Sequence, residues 1–110
     1  MCGRFAQKSP AGKISQRFKV GEVPPLAERY NVAPAQPVLA VREAPGGREV
    51  AFFKWGLVPR WAKDPSIGNR LINARAETVT EKPSFRESFK RRRCLVPMEG
   101  FYEFMWTFPW

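Results

Sequence analysis

The stretch VLAVREAPGGREVAFFKWGLV, residues 38–58, bears most directly on the fold class. Two runs of β-branched and aromatic residues flank the short segment APGG, whose proline and glycines are typical of tight turns. We expect a β-hairpin whose strands are joined at a turn around Gly46 and Gly47. Antiparallel pairing is therefore the starting point of the predicted fold.

The residues before this hairpin predict a strand, a helix and a loop. CGRFA, residues 2–6, alternates apolar with small or charged side chains, as a short strand does. Residues 9–20 predict a helix in which Ser9 is the N-cap and apolar residues recur four apart. The proline-rich residues 21–37 are expected to form an ordered loop without regular structure, because proline removes backbone donors.

The residues after the hairpin predict a second helix and two further strands. EKPSFRESFKRRR favours a helix, because Ser84 and Glu87 match the S-x-x-E capping box and the basic end suits the helix dipole. CLVPMEGFYEFMW, residues 94–106, predicts a strand, a turn at Glu99 and Gly100, and a second strand. Several strands with two separate helices indicate an α+β fold, mainly antiparallel, with peripheral helices.

The charge balance points to anionic partners. The 110 residues include 19 Lys and Arg against 10 Asp and Glu, a net charge of +9, which favours phosphates or anionic membranes. No apolar run approaches the ~18 residues of a membrane span, and the first ten residues lack the apolar core of a signal peptide. We therefore expect a cytoplasmic or nuclear protein with no membrane association and with nucleic acid as partner; a solvated basic surface is the alternative to nucleic-acid binding.

The cysteine pattern argues against metal chemistry. Cys2 and Cys94 are the two cysteines, neither belongs to a C-x-x-C motif, and the chain contains no histidine. We expect no metal centre and no cofactor. A disulfide between the two is disfavoured in a reducing compartment.

Cys2 is the first candidate for chemistry. If Met1 is removed, Cys2 becomes a 1,2-aminothiol, in which an amine and a thiol, two nucleophiles, share one carbon scaffold. Such an end can condense with an aldehyde to an imine, which the thiolate closes to a thiazolidine ring. An inert, buried cysteine in the first strand is the alternative.

Further candidates follow from residue type and surroundings. Arg4 and Arg75 suit bidentate contacts with phosphate, and Trp61 lies in a polar loop beside Arg60 and Lys63. Glu103 stands in an aromatic strand, where a carboxylate is costly to bury unless it is paired or used in proton transfer. The alternatives are solvated arginines, a core tryptophan and an outward-facing glutamate.

Several blocks, MCGRFA, RYNVAP, WGLVP, INARAET, RRCLVP and GFYEF, together resemble the SOS response-associated peptidase (SRAP) family. The resemblance runs from Met1 to about Phe104 and implies an antiparallel, barrel-like SRAP fold. It also implies a DNA damage response protein whose N-terminal cysteine cross-links abasic sites in single-stranded DNA as a thiazolidine. In this family the residue before the cysteine is removed autoproteolytically.

The resemblance gives the candidate residues their roles. It implies that Cys2 is the nucleophile, Asn73 contacts the abasic sugar and Glu103 assists proton transfer, while the DNA strand is bound by Arg4, Arg75 and Trp61. Two departures stand out. The family's motif continues after the glutamate with Trp and Lys, and its catalytic histidine lies in a second half that this chain does not match.

The expected domain organisation is residues 1–110 as the N-terminal part of a single SRAP domain. An apparently truncated domain of this kind is expected to self-associate through an exposed C-terminal apolar surface that includes MWTFPW, residues 105–110. The loss of the histidine is expected to impair cross-link reversal more than the first attack. Two further alternatives are a non-covalent single-stranded DNA binder and an inactive SRAP fragment.

Overall fold

The computed structural model describes residues 2–102, which form two small antiparallel sheets and two helices. The strands are β1 (Phe5–Gln7), β2 (Arg29–Val32), β3 (Pro37–Ala44), β4 (Gly47–Lys54) and β5 (Gly100–Phe101). The helices are α1 (Ala11–Phe18) and α2 (Arg86–Arg91), with a 3₁₀ helix at Pro65–Asn69. The expected α+β class is confirmed. None of the helices in the described range is long and apolar enough to cross a bilayer.

The predicted hairpin is confirmed as strands β3 and β4. They pair in register from Pro37 opposite Lys54 to Ala44 opposite Gly47, so that only Pro45 and Gly46 form the turn. Gly47 has φ of 120°, a backbone conformation that glycine adopts without a Cβ clash. The second strand ends at Lys54, before the predicted boundary at residue 58.

The other sheet has the order β2-β1-β5, with the N-terminal strand β1 in the middle. Phe5 lies opposite Val32 on one side and Phe101 on the other. The predicted loop at residues 21–37 is wrong at β2, because residues 29–32 are free of proline and their backbone groups pair with β1.

The predicted helix caps are also wrong, although both helices exist. Pro10, in extended conformation, is the N-cap of α1, while the Ser9 hydroxyl donates to Glu99 instead. At α2 the N-cap is Phe85 with no side-chain hydrogen bond. The preceding turn explains this difference from the predicted Ser84 cap, because the Lys82 carbonyl already accepts from the amides of residues 85 and 86.

Of the predicted strand–turn–strand at residues 94–106, the structure describes residues 94–102, which make two short pairings. Leu95 makes a single antiparallel bridge to Val41 in one sheet, and β5 pairs with β1 in the other. Pro97 between them has no N–H group and cannot extend the first pairing. The chain thus passes from one sheet to the other instead of forming a hairpin.

The core lies between the two sheets, where Phe5, Val32 and Val38 form a buried cluster. The buried side chain of Gln7 connects the sheets. Its Nε2 donates to the carbonyls of Leu39 (3.0 Å) and Pro97 (2.8 Å), and its Oε1 accepts from the Leu39 amide (3.1 Å). Two residues further along β3, Val41 exchanges backbone hydrogen bonds with Leu95. The edge of β3 that faces away from β4 is therefore hydrogen-bonded to the Gln7 side chain at Leu39 and to the Leu95 backbone at Val41.

We expect Gln7→Met to lower the free energy of unfolding by about 2–5 kcal/mol, because it leaves buried backbone groups of Leu39 and Pro97 without partners. Urea unfolding measures this as a lower midpoint with an unchanged slope. Gln16→Met, at an exposed position of α1, is the matched control. Equal midpoints for the two variants would contradict the role of Gln7.

The carboxylate of Glu99 fastens the segment before β5 to the end of β1. It accepts from the Lys8 amide (2.8 Å) and from the Ser9 hydroxyl. Partial burial opposes ionisation, but these hydrogen bonds outweigh it, so the pKa of Glu99 lies below its ordinary value.

Because the folded-state pKa of Glu99 is lowered, its contribution to stability is present above pH ~4.3 and is lost as the pH falls through the folded-state value. We expect Glu99→Gln to remove this acid-dependent part, within about 1 kcal/mol since the carboxylate is exposed. Urea midpoints between pH 6 and pH 3 measure it, with Glu22→Gln, an exposed carboxylate outside these contacts, as control. An unchanged pH slope in Glu99→Gln would show that the carboxylate contributes nothing.

Candidate active site

Cys2 lies just before β1, at the margin of the core. Its side chain is half-buried and packs against the cluster of Phe5, Val32 and Val38. The thiol donates towards the carbonyl oxygen of Arg4, with Sγ 3.7 Å from that oxygen. The fold therefore fixes the position of Cys2 but leaves its side chain partly exposed to solvent.

Asn73 lies directly against Cys2. Its Nδ2 donates to the Cys2 carbonyl oxygen at 2.8 Å, although the two residues are 71 positions apart. Residues 71–75, LINAR, which sequence periodicity left undecided between a strand end and a buried loop, have no regular structure. The side-chain amide is therefore brought to Cys2 by a loop.

Contacts with the end of the hairpin hold this loop in place. The Trp55 indole donates to the Ile72 carbonyl at 2.9 Å, and the Leu57 amide donates to the Leu71 carbonyl at 3.0 Å. Gly56, with φ of 132°, passes so close to Gly68 that a Cβ on Gly56 would lie 2.4 Å from the Gly68 oxygen. Two glycines thus allow the backbone approach that delivers Asn73.

Arg4 is exposed and its guanidinium donates to Oδ1 of Asn31 at 3.2 Å. Its carbonyl oxygen, which faces the Cys2 thiol, also accepts the Tyr102 amide at 2.9 Å. Arg4 therefore connects Cys2 with both neighbouring strands. Sequence reasoning missed Asn31 and Tyr102 as neighbours of the site; they occur in the RYNVAP and GFYEF blocks, which carried the only available signal.

Arg75 and Trp61, the two remaining candidates within residues 2–102, are not in hydrogen-bond contact with Cys2. Arg75 is exposed at the start of a turn, and Trp61 is 59% exposed with its indole N–H 3.5 Å from the Pro83 carbonyl. Trp61 also borders an open cavity of about 370 Å³ together with Lys63 and Arg70. Glu103 and the apolar ending at residues 105–110 lie outside the described residues.

The second cysteine has a different environment. Partial burial raises the pKa of the Cys94 thiol, so it stays protonated at neutral pH. Within residues 2–102, no group of three or more Cys, Asp or Glu side chains is placed to hold a metal ion. The reactive group of the site is therefore the Cys2 thiol, with the Asn73 amide on the Cys2 carbonyl and the backbone carbonyl of Arg4 facing the sulfur.

This chain belongs to the SOS response associated peptidase (SRAP) family, whose model matches residues 1–108. It is similar to two curated proteins of Bacillus subtilis (strain 168), the abasic site processing proteins YoaM (44% identical) and YoqW (43%). Each match covers 94% of this chain and 47% of the relative. The chain therefore spans about half the length of these relatives.

The fold is similar to that of a protein from Bordetella bronchiseptica known from a crystal structure. The TM-score is 0.72 at 22% sequence identity, and the match covers 93% of this chain and 50% of that one. The similarity shows that the two proteins share a fold.

Proposed function

We propose that this protein is a DNA damage response protein that cross-links abasic sites in single-stranded DNA through Cys2. The contact between the Asn73 amide and the Cys2 carbonyl carries the proposal, because it brings together two residues that the family resemblance assigned to one site. The names of the Bacillus relatives, abasic site processing proteins, support the substrate class. The net charge of +9 supports binding to a phosphate backbone.

The proposed reaction begins once Met1 is removed, either autoproteolytically or by an aminopeptidase. The Cys2 α-amine attacks the aldehyde carbon of the ring-opened sugar, and loss of one water molecule gives an imine. The Cys2 sulfur then adds to the imine carbon while its proton passes to the nitrogen, closing a thiazolidine. The net change is condensation with release of one water, without oxidation or reduction.

The neighbouring residues supply position and charge in this proposal. Asn73 fixes the Cys2 backbone and orients the sugar, and Glu103 relays the protons that imine formation requires. Arg4 and Arg75 bind phosphates, and Trp61 lies along the path of the strand. DNA as substrate implies a cytoplasmic location, associated with the nucleoid in a bacterium.

The contact between the Asn73 side chain and Cys2 is tested with Asn73→Ala. The protein is incubated with single-stranded DNA bearing one abasic site, and adducts that survive denaturation are quantified over time. We expect a rate of adduct formation about 100-fold lower than that of wild type, because the reacting atoms lose their fixed geometry. Asn69→Ala, at an exposed position of the 3₁₀ helix, is the matched control.

The outcomes separate the covalent proposal from its alternatives. Absence of any wild-type adduct, in protein whose intact mass shows that Met1 is gone, rejects cross-linking. Salt-sensitive DNA binding without an adduct would identify a non-covalent binder, and absence of both would identify an inactive fragment.

We also expect self-association of the isolated chain. Three apolar side chains near β5 are exposed, Leu95 (52%), Met98 (41%) and Phe101 (58%), and neighbouring apolar surface favours association. Sedimentation velocity is expected to show species heavier than the 12.6 kDa chain. A monodisperse monomer with a sharp cooperative melt would contradict this expectation.

A further inference from the structure

The sheet β2-β1-β5 carries two exposed tyrosines joined by a hydrogen bond across its middle strand. The Tyr102 hydroxyl, at the end of β5, donates to the Tyr30 carbonyl of β2 at 2.8 Å. Because β1 lies between these strands, the Tyr102 side chain has to reach across β1. Ala6, which lies opposite Gly100, presents little bulk there. The fold thus leaves room for a ring over the middle of the sheet.

Both rings are held in place and remain open to solvent. The Tyr30 hydroxyl donates to Glu28 at 2.6 Å, so each hydroxyl has an acceptor and each ring has a defined orientation. Yet Tyr30 is 55% exposed and Tyr102 is 57% exposed. Two fixed, open rings form a surface on which a flat ligand can stack without ordering the side chains first.

The charges beside these rings favour an anionic ligand. The Lys8 ammonium lies over one face of the Tyr30 ring, 5.4 Å from its centre, and the Arg4 guanidinium is held by Asn31, the neighbour of Tyr30. The Glu28 carboxylate, which accepts from the Tyr30 hydroxyl, keeps its negative charge, so in these contacts two cations stand against one anion. Exposed aromatic rings on a sheet, flanked by cations, are the arrangement by which single-stranded nucleic acids are bound through base stacking and phosphate contacts.

The tyrosine pair is continuous with the Cys2 site. One carbonyl oxygen, that of Arg4, accepts both the Tyr102 amide and the Cys2 thiol. We infer that Tyr30 and Tyr102 form a stacking platform for the base of a nucleotide adjacent to the abasic site, with Lys8 on its phosphate. The inference rests on the proposed function for its ligand, but not on the covalent step.

The experiment combines removal of a tyrosine ring from the protein with removal of bases from the DNA. It uses two fluorescent single strands of about 10 nucleotides. Both strands carry one central tetrahydrofuran residue, which has no aldehyde and cannot be cross-linked. In the second strand the nucleotides on either side also lack their bases. Dissociation constants are measured by anisotropy for wild type, Tyr30→Ala and Tyr30→Phe, with Tyr102→Ala as a second ring deletion.

Wild type is expected to bind the second strand about 5- to 150-fold more weakly than the first, because stacking on the neighbouring base is lost. Tyr30→Ala and Tyr102→Ala are expected to bind both strands with nearly equal affinity. Tyr30→Phe, which keeps the ring, is expected to retain the preference. Since the ratio compares two strands on the same protein, a general loss of stability does not mimic this result.

The stacking platform is rejected if wild type binds neither strand or binds both equally well. It is also rejected if Tyr30→Ala has the same ratio of dissociation constants for the two strands as wild type. These results are independent of cross-linking. If the ratio behaves as expected but no adduct forms with an aldehyde-bearing strand, the platform stands and the covalent proposal fails. If adducts form while the ratio is unchanged in both alanine variants, the covalent proposal stands and the platform fails.

Discussion

Cys2→Ala is expected to form no adduct that survives denaturation with abasic single-stranded DNA. Alanine at position 2 keeps the α-amine once Met1 is removed, so an imine can still form. Without the sulfur no ring closes, and the imine hydrolyses when the complex is denatured. Intact mass has to show the same Met1 removal in variant and wild type, so that the comparison isolates the thiol.

Borohydride separates the two nucleophiles of Cys2. Reduction during the incubation converts an imine into a stable amine, so Cys2→Ala is expected to give a band only when borohydride is present. Wild type is expected to give the band in either case. This result would assign the attack to the amine and the permanence of the product to the thiol.

Cys94→Ser is the matched control, because it removes a thiol whose pKa is raised by burial and which lies outside the contacts of Cys2. It is expected to retain wild-type adduct formation. A durable band from Cys2→Ala without reductant, or a lost band in Cys94→Ser, would reject Cys2 as the cross-linking residue.

Gly56→Ala is expected to have the largest effect on stability. The added Cβ would lie 2.4 Å from the Gly68 oxygen, and the φ of 132° is one that alanine rarely adopts. Overpacking and backbone strain each cost ~1–3 kcal/mol, so we expect a loss of about 2–6 kcal/mol in the free energy of unfolding. A small domain would lose much of its stability.

Two other glycines calibrate this prediction. At Gly68 a Cβ would lie 3.1 Å from a methyl of Val58 and 3.2 Å from the Gly56 oxygen, so Gly68→Ala is expected to cost less than Gly56→Ala. At Gly46 a Cβ would meet nothing within 4 Å, so Gly46→Ala is the control. Urea unfolding midpoints in the reverse order would contradict the close approach of these two backbones.

Gly56→Ala is also expected to lower adduct formation, because the Gly56–Gly68 contact holds the loop that carries Asn73. The measurement is made well below the unfolding midpoint, on the fraction that remains folded. Normal adduct formation by that fraction would show that Asn73 reaches Cys2 without this contact.

The elements that were predictable from sequence are those with a strong local signal. The hairpin has a proline–glycine turn between β-branched runs, and its pairing agrees with the prediction. β2 was missed because its four residues lie between prolines and gain their structure only from pairing with β1. Both helix caps were misassigned, since Glu99 and the turn at Lys82 supply the competing hydrogen bonds.

The site was less predictable than the fold. Local spacing gives no reason for Asn73 to meet Cys2, because the loop that brings it there has no periodicity and depends on contacts of Trp55 and Gly56. The motif resemblance pointed to Asn73 as a site residue. Gln7 and Tyr30 had no signal of their own, because their contacts arise only when distant strands are assembled.

The central position of β1 delays the closing of its sheet during protein synthesis. Its neighbour β5 contains residues 100 and 101, so the sheet around β1 cannot close until residue 101 has been made. At 5–20 residues per second, translation leaves the first residues without this partner for about 5–20 s. In the proposed reaction, removal of Met1 by an aminopeptidase belongs to that interval, when Cys2 is not yet half-buried by the fold.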